Sequence, residues 1–306
     1  MYNRRLRLMH FSPEFLSLLA AACWAVGSLF SAAASARLGA FAFTRWRLTF
    51  ALCLLGSWAL LSGGWRTLSG AAVPLLAASG LVGIFLGDTA LFACMNRLGP
   101  RRSGVLFATH ALFSAVLAWF WLDETLWGFA LVGSVLLVVG VMVAIAWGKR
   151  EGEEHAWELT RGSVLTGVAL GLVAALGQSV ATLMIKPLMA TGVDAVAASA
   201  VRLGAALLAH TALRLSGVPF ARAASALDFR TLANTAASAV IAMALGMTLI
   251  LQALKTGPAN LVGIFSSVTP VLLLPLLWGV YRRRPAAGAW WGAAMAVIGS
   301  VLILGR

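Results

Sequence analysis

Of the ten acidic residues in this 306-residue chain, Asp88 is the one that falls well inside an apolar stretch. A carboxylate in hydrocarbon is costly unless it pairs or faces a cavity, so it marks a functional site or a structural ion pair. As a functional group Asp88 would bind a proton or attract a cationic part of a substrate, and it is the candidate coupling residue. As a structural group it would partner Arg47 or backbone donors. Arg47 and Arg202 occupy matching positions, each followed by leucine (Leu48, Leu203). Pairing with helix-end carbonyls or snorkelling to the interface makes both read as structural intramembrane charges. His110, beside Thr109, has the residue type that shuttles protons near neutral pH, although a single interhelical hydrogen bond is the commoner role. Gln178, Ser179 and Thr182 lie within about one helical turn, and Thr248 and Gln252 are four apart on another helix. Ser266 and Ser267 add hydroxyls to a third. Such groups line a cavity or join helices, each contact contributing roughly 0.6–2 kcal/mol. Trp24, on one helical face with Gly27 and Ser28, is the aromatic candidate for a cavity wall. The candidate cavity set thus runs from Trp24 and Ser28 through Asp88 and His110 to Gln178, Thr182, Thr248, Gln252 and Ser266.

The elements that must position these groups are membrane helices. The chain is 61% apolar and 11% charged, more apolar surface than a soluble domain can hide. About 20 apolar residues make one crossing. The hydrophobic segments predict ten spans, at 14–34, 43–62, 72–95, 102–121, 126–147, 163–184, 194–214, 231–252, 259–280 and 286–304. Only short connections remain, with no room for a soluble catalytic domain. Arg4, Arg5 and Arg7 before the first span, with Ala34-Ser35-Ala36 near its end, look like a cleavable leader. Removing that segment would leave an odd nine spans, so its retention is expected. Cys23, Cys53 and Cys94 all fall in spans without CxxC spacing and are expected to pack as small apolar residues. No metal site or cofactor is expected. The net charge of +13 is scattered over short loops, where Arg101-Arg102 and Arg282-Arg283-Arg284 would meet anionic headgroups. The lipid bilayer is the expected partner, and nucleic acid is not.

The chain is also one unit written twice. Gly87-Asp88-Thr89, Gly99-Pro100, Phe107, Gly133 and Gly140 recur as Gly246-Met247-Thr248, Gly257-Pro258, Phe265, Gly292 and Gly299, offset by 158 or 159 residues. That period is too long for a solenoid and suits the internal duplication of secondary transporters. Each half holds five spans, an odd number, so the second half enters the membrane from the opposite side. The expected fold is an all-α integral membrane protein of ten transmembrane helices in an inverted 5+5 repeat. Its units are 1–147 and 163–306, joined by a polar linker, 148–162, that contains Lys149, Arg150 and His155.

In these motifs the chain resembles the drug/metabolite transporter superfamily of the EamA type, which carries two five-helix domains. Ala22-Cys23-Trp24-Ala25-Val26-Gly27-Ser28 is similar to that family's tryptophan–glycine signature. Leu86-Gly87-Asp88-Thr89-Ala90-Leu91-Phe92 with Leu98-Gly99-Pro100 resembles its third helix and the turn after it. The family's fourth helix pairs a proline with an acid 13 positions later. Here the first half keeps the acid, Glu124, but has Ala111 in place of proline. The second half keeps Pro270 but has Arg283 in place of the acid.

The resemblance implies a multi-pass cell-membrane transporter for a small-molecule substrate, with both termini inside. Basic residues on odd-numbered loops outnumber the rest by about two to one, which instead puts both termini outside the cytoplasm. The expected function is export of small amphipathic metabolites such as amino acids, by alternating access at a midplane cavity. A membrane scaffold or receptor is the alternative. A membrane enzyme would need a catalytic constellation, and no GxSxG, His-x4-Asp, HExxH or Walker pattern appears.

Overall fold

A computed structural model of the chain describes residues 11–147, 162–281 and 286–304. The basic residues Arg4, Arg5, Arg7, Lys149, Arg150, Arg161, Arg282, Arg283, Arg284 and Arg306, with His10 and His155, lie outside the described residues, as does all but the last residue of the expected linker. The described residues are helical throughout, without a strand. Ten rods follow one another: α1 Pro13–Leu38, α2 Ala40–Ser62, α3 Ala72–Pro100, α4 Arg102–Leu122, α5 Gly128–Ala146, α6 Val164–Ala190, α7 Ala195–Leu215, α8 Phe229–Thr256, α9 in two pieces, Ala259–Ser266 and Thr269–Tyr281, and α10 Ala287–Leu304.

Seven helices are long and apolar enough to cross a membrane: α1, α3, α4, α6, α7, α8 and α9 over Ala259–Leu276. Helices α5 and α10 are shorter apolar rods. Helix α2 is 23 residues long and carries Arg45 and Arg47 near its start. The outer surface is apolar, with Trp58, Trp119, Phe120, Trp121, Trp127, Phe129 and Trp291 among the exposed side chains. A bilayer solvates such a surface, and its interfaces favour tryptophan.

Local chemistry sets the helix starts. Ser12, Ser163, Asp194 and Asp228 each accept a hydrogen bond from the backbone N–H three residues on, capping α1, α6, α7 and α8. Gly99, at φ 83°, turns the chain between α3 and α4, a conformation that favours glycine. The third span therefore runs to Pro100 rather than stopping at 95. The sixth runs to Ala190 rather than 184, because Lys186 finds a partner in the Leu254 carbonyl at 2.8 Å.

Helices α4 and α9 are bent at equivalent places. Thr109 donates back to the Leu106 carbonyl, while Ser266 and Ser267 donate to those of Gly263 and Ile264. Hydroxyl back-bonding of this kind loosens the backbone ladder. Matching wide π turns interrupt α3 at Leu81–Asp88 and α8 at Ala239–Gly246.

Between helices in lipid, close packing replaces the hydrophobic effect as the main attraction, which favours small residues. Helix α1 lies on the π turn of α8, with Gly27 against Ala242, and α6 lies on the π turn of α3, with Ala181 against Gly83. Each contact sets a glycine against an alanine; a Cβ on Gly83 would come 2.6 Å from that of Ala181. Helices α5 and α10 meet along Gly133, Gly140, Gly292 and Gly299. A Cβ on Gly140 would stand 2.6 Å from the Ala296 nitrogen, so the backbones themselves touch.

Candidate functional site

The π turn of α3 carries Asp88 to the molecular interior, and the matching turn of α8 ends at Gly246, one residue before Met247. At the end of the α3 turn, Asp88 accepts from Arg47 Nη1 of α2 at 3.3 Å. Both side chains are nearly enclosed, at 13% and 7% exposure. At an effective dielectric near 20 their attraction is about 5 kcal/mol, much of which offsets the desolvation of two ions. The guanidinium also lies 5.2 Å from the centre of the Phe92 ring, a cation–π arrangement. Arg47 Nε is buried and has no acceptor.

The second half repeats the geometry with different chemistry. Arg202 of α7 donates through Nη1 to the sulfur of Met247, just past the α8 π turn, at 3.2 Å. Positions 47 and 202 correspond in the repeat, as do 88 and 247, so the same two helices meet at the same place in each half. A thioether is a weak acceptor and brings no charge. Arg202 Nε and Nη2 are buried without any acceptor, and the residue is 1% exposed. Room for it comes from α3, where Gly83 lies beside Nη2 and Gly80 against the Arg202 backbone. Asp88 lies within electrostatic reach of Arg202 as well as of Arg47. Arg47 thus holds the carboxylate directly while Arg202 acts on it at longer range, and both guanidinium groups are buried.

The remaining candidate residues divide by what they touch. Trp24 donates through Nε1 to the Ala242 carbonyl at 3.0 Å, binding α1 to the α8 π turn, and its ring lies beside Gly246. Ser28 bonds back to the Ala25 carbonyl within its own helix. Gln178 and Thr182 share one face of α6, as their spacing suggested, and bond mainly to each other. Ser179 instead donates to the His110 carbonyl at 2.8 Å, which ties α6 to α4. The His110 ring packs 5.0 Å from Phe107, and its Nε2 is buried without a partner. Thr248 reaches Ser199 of α7 at 3.3 Å, Ser266 bonds within α9, and Gln252 is exposed. The geometry thus pairs Arg47 with Asp88 and Arg202 with Met247, while Trp24, Ser179 and Thr248 join helices and Ser28, Gln178, Thr182 and Ser266 bond within their own. Cys23, Cys53 and Cys94 are free thiols.

Three further polar contacts were not read from the sequence. His210 of α7 bonds through Nε2 to Thr89 at 3.1 Å and packs against the rings of Phe41 and Phe85. Glu124 accepts from the backbone N–H groups of Ala259 and Asn260, each at 2.9 Å, and so caps α9. Lys186 caps the carbonyl end of α8. The α8–α9 break at Gly257-Pro258 thus has an anion at its free N–H groups and a cation at its free carbonyls, matching both helix dipoles. The Glu124 position was visible as a family motif; its partner was not, because the contact crosses 135 residues of chain.

A bundle of apolar helices with charged groups sealed in its middle defines a polytopic helical membrane protein. Within that class the chain belongs to the EamA-like transporter family, whose family model matches residues 11–146 and again residues 165–305. A solved crystal structure of a protein is similar in fold, with a TM-score of 0.75 over 95% of each chain at 17% identity. Comparison with the curated proteins found no match.

Proposed function

We propose that the chain is a secondary transporter that exports small amphipathic metabolites, of the amino-acid class, across the cell membrane. In this reading all ten helices cross the bilayer. The five-helix units 1–147 and 163–306 are inverted copies, and residues 148–162 link them. Supporting this are the repeat offset, which drifts only from 155 to 159 residues, and the reciprocal packing of α1 on α8 and α6 on α3. Repeats arranged this way place the substrate between them and expose it alternately to each side. The observation that carries the reading is the Arg47–Asp88–Arg202 cluster at the matched π turns. Intramembrane charge is retained where it serves a pathway, and π turns recur at functional sites.

Trp24, Ser28, Asp88, His110, Gln178, Thr182, Thr248, Gln252 and Ser266 remain the proposed lining, and Asp88 is the proposed coupling group. The test is counterflow of an amino-acid panel in proteoliposomes, alongside metabolite profiling of cells lacking or overproducing the protein. Counterflow of at least one panel member and its retention in the deleted cells are expected. No counterflow and an unchanged metabolite profile would remove the proposal. If Asp88 couples protons, Asp88→Asn abolishes uphill movement and spares exchange; intact pH-driven uptake would remove that role.

A further inference from the structure

We propose that Arg202, with the Arg47–Asp88 pair within electrostatic reach, forms a binding subsite for a substrate carboxylate between the two halves. The proposal rests on the transporter reading and specifies its substrate class. Its warrant is an imbalance. Two buried guanidinium groups face one carboxylate, leaving the cluster a net positive charge when Asp88 is ionised. Among the described residues, three N–H-bearing nitrogens, Arg47 Nε and Arg202 Nε and Nη2, are buried with no acceptor, and the one acceptor of the Arg202 side chain is a sulfur. A buried charged donor left unpaired is strongly destabilising, and native interiors rarely keep such groups without a use.

A carboxylate is the ligand that fits. The free Nε and Nη2 of Arg202 belong to one planar guanidinium fork, whose donors match two carboxylate oxygens. Gly83 brings α3 close to Nη2 without a side chain of its own, and the Ala181 methyl lies beside that glycine. Asp88 is the most exposed of the three charged side chains; bonded to Arg47 and within electrostatic reach of Arg202, it is the resident competitor. An incoming carboxylate neutralises the excess charge, satisfies the free donors and loosens the hold of Asp88 on Arg47. The inverted repeat places this point where an alternating-access substrate is exchanged, with the apolar part of the substrate left for the Trp24 side of the bundle.

The experiment measures thermal unfolding of the full chain in nonionic detergent by tryptophan fluorescence. The probes share one carbon skeleton: leucine, isovalerate and isoamylamine, with sodium chloride at equal ionic strength as the inorganic control. Leucine and isovalerate should raise the midpoint saturably, whereas isoamylamine and chloride should not. Arg202→Met should lose the carboxylate response. Asp88→Asn should reach half-saturation at a lower concentration, because the resident competitor is gone. Should Arg202→Met fail to fold, Arg202→Lys keeps the charge and loses the fork, and should weaken half-saturation at least about tenfold. A carboxylate shift that survives Arg202→Met overturns the proposal. So does an equal shift with isoamylamine or chloride, or no shift in the unmodified protein. Counterflow on the same preparation separates the two readings. Saturable carboxylate stabilisation without counterflow removes transport and leaves the site; counterflow of isoamylamine without carboxylate stabilisation removes the site and leaves transport.

Discussion

Replacing Glu124 tests whether its carboxylate holds the α8–α9 break together. Both of its oxygens accept backbone N–H groups at 2.9 Å, from Ala259 and Asn260. Those two residues are 0% and 2% exposed, so neither N–H can turn to water when the acceptor goes. Taking about 1 kcal/mol for each bond, since the carboxylate is only half-buried, and about 0.5 kcal/mol for the charge at a helix N-terminus gives about 2.5 kcal/mol for Glu124→Ala. Glu124→Gln keeps one acceptor oxygen and should lose about half of that. In a chain of this size roughly 2 °C of midpoint accompanies each kcal/mol, so the alanine variant should unfold about 5 °C lower and the glutamine variant about 2–3 °C lower. Thermal unfolding in detergent at one fixed scan rate reads these shifts. Amide exchange should speed up at Ala259 and Asn260 and stay unchanged in α5. Midpoints within about 1 °C of the parent for both variants, far below the shift expected from the lost bonds, would refute the capping argument.

Gly292→Val should abolish stable folding, because even a Cβ there collides with Ala144 and the Gly140 carbonyl where α5 and α10 touch backbone to backbone. The check is the monodisperse yield from size-exclusion chromatography, with Gly279→Val, which has open space around it, staying near parental yield. At the loop end of α8, two hydrogen bonds from Thr231, followed by the Arg37 charge, hold the Asp228 carboxyl below its ordinary 3.8. A carboxylate lowered in the fold stabilises above its ordinary value, and the benefit disappears as pH falls through the lowered one. Asp228→Asn should therefore flatten the acid limb of the stability profile below about pH 4 and lower stability slightly at neutral pH, since asparagine still caps a helix but lacks the charge that meets Arg37. An identical acid limb in parent and variant would discard that role.

The all-helical character and the apolar rods were legible from hydropathy, because hydropathy depends on local composition. Gly133, Gly140, Gly292 and Gly299 could be recognised as scaffold from their type and offset, whereas Gly27 and Gly83 have no glycine at the matching positions. The limits of the spans were less legible. Lys186 and Pro187 look like an ending, yet α6 continues because the Leu254 carbonyl, 68 residues away, accepts from the lysine. The site was half legible. Asp88 and Arg47 stood out as charges in apolar sequence, and their pairing was one of two roles offered. Met247 could be read only as the counterpart of Asp88 in the repeat, since nothing in its type suggests a polar role. Overlaying the two correspondences, 47 with 202 and 88 with 247, would have placed it against Arg202. Ser179 and Thr248 could not be assigned in advance, because a hydroxyl that lines a cavity and one that joins two helices have the same sequence signature.

The difference between the halves can be removed by one substitution. Met247→Asp would give Arg202 the partner that Asp88 gives Arg47, at the position where a sulfur now lies 3.2 Å from Nη1. At an effective dielectric near 20, a carboxylate about 4 Å away attracts the guanidinium by about 4 kcal/mol. Burying the new charge costs several kcal/mol, but part of that desolvation has already been met by the arginine. The net effect on stability is therefore expected to be a gain of about 0–2 kcal/mol, small beside the change in charge. The charge decides function. The cluster becomes neutral and the donors of Arg202 are occupied, so leucine and isovalerate should no longer raise the unfolding midpoint. Met247→Leu, which removes the sulfur without adding charge, should keep the response. If Met247→Asp still responded to isovalerate as the parent does, the excess positive charge at the π turns would not be what recognises a carboxylate.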